Sequence, residues 1–310
     1  MSRLSIIIPS RQPEFLQKTI TDLLTKAKEE VEVIVVLDGY WPNPMPEADP
    51  RLHIIHQGTI HNNKGMRAGI DAGMAVSTGE YVMKIDEHCM VDEGYDQKLK
   101  ADCENNWVII PRRKRLDAEN WKLVEDGRPD IDYMYVEYPY LKPFDRSQGL
   151  HGAEWRKDGP DIDDTPTMQG SCYFLKKAYW DELFPDGMDE ENYGTFTQEA
   201  QEISMKVWLS GGAVKVNKKT WYAHYHKGSK GKGYGFSTEQ YRKHEAEKEK
   251  GRLYCISYWL STQDYEHDFA WFIDEKFPDM PNWEGWKDRI KKDAEHDWSK
   301  DPSKQPSEWL

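Results

Sequence analysis

Residues 63–89 read NKGMRAGIDAGMAVSTGEYVMKIDEHC. Met66, Ile70, Gly73 and Met74 recur at the spacing of one helix face. Thr78-Gly79 breaks that pattern, and Glu80 to Asp86 (EYVMKID) then reads as a short buried strand ending in an acid. A helix feeding a buried strand is half of a repeating α/β unit. Upstream the same alternation appears. Leu4 to Pro9 is an apolar run of strand length, and Pro13 to Glu30 carries Phe15, Ile20, Leu23 and Leu24 at helical spacing. Val31 to Asp38 (VEVIVVLD) is a second buried strand ending in an acid, and Leu52 to His56 is a third. The pattern predicts an α/β fold with a mostly parallel sheet flanked by helices. Ligands of such sheets bind beyond the carboxyl ends of the strands, the edge where Asp38 and Asp86 fall.

Downstream, residues 107–164 lose the alternation and carry PRRKR at 111–115 among many Tyr, Asp and Pro. Pro166 to Leu175 reads as a strand region, Gln198 to Ser210 as an amphipathic helix stopped by Gly211-Gly212, and Ala213 to His224 as a last strand. His226 to Gly235 is a Gly- and Lys-rich loop, and the charged, aromatic remainder is expected to form a helical extension. The expected organisation is a main domain over 1–235 and a C-terminal extension over 236–310.

The charge balance is 42 − 55 = −13. A surface that acidic repels nucleic acid at long range, so any such contact needs a local basic patch. No stretch approaches the roughly 20 apolar residues of a membrane span, and Met1 to Ser10 reads as a first strand, not a leader. Cys89, Cys103, Cys172 and Cys255 are scattered without CxxC spacing, which suggests reduced thiols. These features predict a cytoplasmic protein, of a bacterium or a phage-infected host, with no membrane partner.

Asp86-Glu87-His88 is the strongest local signal for chemistry. A carboxylate and an imidazole two residues apart, just past a buried strand, face one point and suit Mn²⁺ or a similar divalent ion such as Mg²⁺. A third ligand must come from elsewhere. His224 and His226, both at the end of the last strand, are the candidates, and spacing does not choose between them.

The chain resembles the GT-A glycosyltransferases, family-2-like, and within them the catalytic domain of the polypeptide N-acetylgalactosaminyltransferases. The motifs that carry the resemblance run in order over roughly residues 3–235: SIIIPSRQ, VVLDG, NKGMRAGIDAGMAVSTGEYVMKIDEHC, PTMQG, EAQEISMKVWLSGG and TWYAHYHK. It implies a metal-dependent hexosyl- or N-acetylhexosaminyl-transferase, retaining in outcome, that moves a sugar from a UDP-sugar to an acceptor hydroxyl. Asp86, His88 and His224 are implied to bind the metal. Pro9, Asp38, Asn63, Arg67 and Asp86 would line the nucleotide site, with Lys227 and Lys230 in a loop that closes over it. Glu199 and Glu202 would sit in the sugar and acceptor region, one of them bonded to sugar hydroxyls. Departures fall at Ala200, where the family has Asn, and at Phe196-Thr197-Gln198, where it has W-G-G. They argue against N-acetylgalactosamine as the donor sugar.

Three acceptors fit: a protein Ser/Thr hydroxyl, a glycan, or a hydroxymethylated pyrimidine in DNA as in phage genome modification. The DNA reading draws on Arg112, Arg113, Lys114 and Arg115 as a phosphate grip, with Trp121, Tyr133, Tyr135, Tyr138 and Tyr140 nearby to stack on a flipped base. The alternative class is an inactive GT-A domain that binds sugar nucleotide or acts as a scaffold.

Overall fold

The computed structural model describes residues 2–11, 14–140, 149–226, 238–261 and 264–295. The first half alternates as expected: β1 (Leu4–Ser10), α1 (Leu16–Lys26), β2 (Val31–Asp38), β3 (Leu52–Gln57), α2 (Met66–Val76) and β4 (Tyr81–Ile85). Then come β5 (Cys89–Val91), α3 (Tyr95–Ala101), β6 (Trp107–Asp117), β7 (Lys122–Leu123), β8 (Tyr133–Val136), β9 (Gly152–Trp155), β10 (Ile162–Asp164) and β11 (Cys172–Lys176). The chain continues through α4 (Lys177–Leu183), α5 (Glu190–Tyr193), α6 (Glu199–Leu209), β12 (Ala213–His224), α7 (Thr238–Leu260), α8 (Phe269–Trp271) with a π turn over Phe272–Lys276, and α9 (Trp286–Glu295).

The main sheet has the order β10-β12-β6-β11-β4-β1-β2-β3, with β5 added to β12 and β7 to β6; β8 and β9 form a separate hairpin. Strands β4, β1, β2 and β3 are parallel, and every residue of β2 is buried, as a strand covered on both faces requires. The sheet then turns mixed, because β11 enters antiparallel between β4 and β6. Helix α2 lies against β1 so closely that a Cβ on Gly73 would stand 2.4 Å from Ile7 Cγ2.

The segment that reads as irregular contains an eleven-residue strand, β6, which carries PRRKR between β11 and β12. Its charges are matched locally. Arg112 pairs with Asp132 at 2.6 Å, Lys114 with Asp130 at 2.9 Å, and Arg115 donates to the Pro129 carbonyl at 3.0 Å. Arg113 is buried and donates to Gln169 Oε1. The register between β6 and β12 shifts from Asn217↔Pro111 to Trp221↔Arg112, so β12 bulges opposite a proline that has no N–H to offer.

The described part of the C-terminal segment packs into the main core. Trp259, Phe272, Phe277, Met280 and Trp283 are buried in the same apolar cluster as the central strands. Trp283 Nε1 donates to the Val136 carbonyl at 2.7 Å, and Tyr138 donates to Asp293 at 2.7 Å. No helix of the described residues is long and apolar enough to cross a membrane.

Candidate active site

A cleft of about 740 Å³ opens at the carboxyl edge of β1, β2, β4 and β12. That volume suits a ligand of nucleotide-sugar size. Three side chains converge in its floor. His88 Nε2 and His224 Nε2 are 3.1 Å apart, and Asp86 Oδ2 lies 3.3 Å from His224 Nε2 and 3.9 Å from His88 Nε2. One ligand atom from each falls within 4.8 Å of the others. Two imidazole nitrogens and a carboxylate oxygen aimed at one point match the donor set and spacing that a divalent transition ion takes.

The topology explains why residues so far apart in sequence meet. After β4 the chain turns through Asp86–His88 and reverses into β5, which pairs antiparallel with the end of β12 and sets Cys89 opposite His224. The turn is pinned from α1. Buried Thr19 donates to the Glu87 carbonyl at 2.9 Å and accepts from the Cys89 N–H at 3.2 Å. Glu87 points the other way, where Ser10 Oγ and the Arg11 N–H hold its carboxylate.

Behind Asp86 stands Lys84, 1% exposed. Its Nζ donates to Asp86 Oδ1 at 2.7 Å and to the Gly170 carbonyl at 2.5 Å, and lies 3.8 Å from Glu199 Oε1. Burial disfavours the lysine charge, but Asp86 and then Glu199 outweigh it and hold the ammonium protonated. For Asp86 burial likewise opposes ionisation, and Lys84 with the His224 contact overcomes it, so its carboxyl titrates below the usual range. Burial lowers His224, which keeps the imidazole neutral and its lone pair available.

Residues 5–155 match the family model described as Glycosyl transferase family 2. That match covers just under half of the chain, whose α/β architecture is of the GT-A kind. Among curated proteins it is 23% identical over 192 residues to mouse polypeptide N-acetylgalactosaminyltransferase 3, covering 60% of this chain and 30% of that protein. It is 21% identical over 209 residues to human polypeptide N-acetylgalactosaminyltransferase 14, covering 65% and 36%. The chain thus spans about a third of the length of these relatives. In fold it resembles the crystal structure of GalNAc-T7 with UDP, GalNAc and Mn²⁺, with a TM-score of 0.65 at 13% identity, over 91% of this chain and 58% of that one.

Within this GT-A-like fold, Pro9, Asp38, Asn63, Asp86, His88, Glu199 and His224 all line the cleft. Asp38 also has a structural task, since its two oxygens accept from the Lys64 and Gly65 N–H groups at 2.7 and 2.8 Å and so hold the loop that enters α2. His226 lies beside His224, ring centroids 4.8 Å apart, outside the convergent set. Arg67 and Glu202 are not in the cleft wall. They are 0% and 1% exposed and form an ion pair with each other one layer behind it, and Arg67 also donates to the Thr197 carbonyl at 2.8 Å. Lys227 and Lys230 lie outside the described residues.

Sequence reading missed Lys84, Thr19 and the cleft-lining His244 of α7. Lys84 left a signal, a lone cation inside an apolar strand. Thr19 and His244 left none, because each acts across a long sequence separation.

Proposed function

We propose that this glycosyltransferase domain transfers a sugar from a UDP-sugar to an acceptor hydroxyl with the help of a divalent ion, Mn²⁺ by preference. The observation that carries the reading is the convergence of Asp86 Oδ2, His88 Nε2 and His224 Nε2 in the floor of the cleft. A bound ion would neutralise the diphosphate and the charge that develops on it as the glycosidic bond breaks. Asp86, His88 and His224 would hold that ion, while Lys84 fixes the Asp86 carboxylate from behind. Glu199, raised above the usual carboxylate range chiefly by burial, sits where it can accept from sugar hydroxyls. No side chain is assigned as nucleophile, and a retaining outcome is carried from the relatives as part of the proposal.

The acceptor is proposed to be a peptide or glycan hydroxyl. Arg112, Arg113, Lys114 and Arg115, the run that would grip DNA, each engage a carboxylate, a side-chain amide or a carbonyl of the protein itself. A polyanion would have to displace those partners.

UDP release from a panel of UDP-sugars, with and without Mn²⁺, in wild type and Asp86→Ala, tests the proposal. Turnover of one donor that requires both the ion and Asp86 is the expected result. A wild-type protein that neither releases UDP nor binds it with Mn²⁺ would overturn the reading.

A further inference from the structure

We infer that Gln198 is a specificity-determining residue that accepts a hydrogen bond from a hydroxyl of the transferred sugar. The inference rests on the transfer reading above and adds a residue to it. Gln198 lines the cleft, is 7% exposed, and occupies the residue before α6 at φ 58°, ψ 20°, a left-handed conformation that favours glycine. A bulky side chain there carries a conformational cost, as strained residues at functional sites do. Among the described residues its Oε1 is buried with no hydrogen-bond partner.

The orientation of that amide follows from the chain of bonds behind it. Ser204 Oγ donates to the Ala200 carbonyl at 2.6 Å, and a carbonyl only accepts. Ser204 Oγ therefore accepts from Thr167 Oγ1, 3.2 Å away. With its proton spent, Thr167 Oγ1 accepts from Gln201 Nε2 at 3.5 Å. Gln201 Oε1 is then left to accept from Gln198 Nε2 at 3.2 Å. Each link fixes the next, and the free end of the relay is Gln198 Oε1, an acceptor. The adjacent Glu199 Oε1 is a second buried acceptor with no hydrogen-bond partner among the described residues.

An unfilled amide acceptor beside a carboxylate oxygen that the Lys84 ammonium faces from 3.8 Å calls for a ligand that brings donors, and a sugar ring does so through its hydroxyls. Their place along the cleft identifies which sugar. Lys84 touches Asp86 and lies 3.8 Å from Glu199 Oε1, so this wall is one side chain removed from the carboxylate proposed to serve the diphosphate. The group attached to that diphosphate is the donor sugar. A site that hydrogen-bonds a hydroxyl discriminates against ligands that lack it, because its own acceptor is then left buried and unpaired.

Calorimetric binding of UDP, UDP-glucose, UDP-galactose, UDP-GlcNAc and UDP-GalNAc, each with Mn²⁺, tests this in wild type, Gln198→Gly and Gln198→Met. Glycine suits the backbone and so offsets the lost bond to Gln201 Oε1, and that variant is expected to fold with a Tm close to that of wild type. Methionine keeps the bulk and removes both the acceptor and the donor to Gln201. The expected result is that UDP binds all three proteins alike, while the UDP-sugar preferred by wild type weakens about tenfold or more in both variants. Equal loss for UDP and UDP-sugar, or no loss for the sugar, would overturn the inference alone. A wild type that binds no UDP would overturn the transfer reading and this inference with it.

Discussion

Lys84 Nζ donates to Asp86 Oδ1 at 2.7 Å while Asp86 Oδ2 faces the two histidines, so one carboxylate is divided between a buried ammonium and the proposed metal position. The same ammonium reaches the Gly170 carbonyl at 2.5 Å, which ties the Asp86 turn to the segment that leads into the neighbouring strand β11.

Replacing that ammonium by a neutral chain strands Asp86 and Glu199 without their cation. Lys84→Met is expected to cost roughly 3 kcal/mol or more in the metal-free protein, the scale of a broken buried ion pair. Saturating Mn²⁺ would supply positive charge to Asp86 and stabilise the folded state, so the deficit should shrink when the ion is present. Thermal unfolding of both proteins with EDTA and with Mn²⁺ checks this. A deficit that is the same in both buffers would count against the metal position.

Thr19 supports the site by geometry alone. Its hydroxyl serves the Glu87 carbonyl and the Cys89 N–H, the two backbone groups that flank His88. Thr19→Val keeps the shape and removes both bonds, at an expected cost of about 2 kcal/mol. It should also weaken Mn²⁺ binding about tenfold, the lower end of what outer-shell changes do. Thr19→Ser restores the hydroxyl and is expected to restore both quantities. Mn²⁺ titration followed by electron paramagnetic resonance separates the affinity loss from the stability loss.

The parallel half of the fold was legible in the sequence because β2 advertises itself through a run that is apolar but for Glu32 and its closing Asp38, and α2 through helical spacing. Of the convergent triad, local spacing points only to Asp86 and His88 and leaves His224 and His226 open; the family resemblance adds His224, and the β5–β12 register, a tertiary fact, brings it beside the other two. Strand β6 was hidden for a physical reason. Its run of cations reads as solvated loop, yet Asp130 and Asp132, some 16 to 20 residues on, neutralise two of them inside the sheet. Arg67 and Glu202 were hidden for the same reason at longer range. Each looks like a residue for ligand or solvent, and they meet across 135 positions to satisfy one another.

The crossing of α2 over β1 is tight enough to test with one methyl group. A Cβ on Gly73 would lie 2.4 Å from Ile7 Cγ2 and 3.0 Å from Cγ1, in a core with no slack. Alanine gains about 1 kcal/mol in helix propensity, and overpacking costs about 1–3 kcal/mol. Gly73→Ala is thus expected to lose about 1 kcal/mol net. In the Ile7→Ala background the same change should become neutral or favourable, because the clash is gone. A double-mutant cycle by urea unfolding reads the coupling directly.

Asp71 makes stability depend on pH in the direction opposite to an ordinary surface carboxylate. Burial pushes its carboxyl up from 3.8 to about 6, the Met188 N–H and Arg67 oppose the rise, and Glu190 and Glu202 add to it. A carboxyl with a raised folded-state value contributes stability that is complete below the unfolded value and is lost as pH climbs through the folded one. Asp71 therefore favours the fold near pH 4 and disfavours it by pH 7. The shift corresponds to about 3 kcal/mol at most, and partial solvent access reduces it to about 1–2 kcal/mol. Asp71→Asn keeps an oxygen for the Met188 N–H, which now ends on Asp71 Oδ2 at 3.0 Å, and removes the charge. The variant should match wild type near pH 4 and exceed it by about 1–2 kcal/mol at pH 8. Urea unfolding of the pair across that range cancels the titration of every other group. A constant difference would mean that the Asp71 carboxyl titrates alike in the folded and unfolded chain, and that its burial is relieved by water.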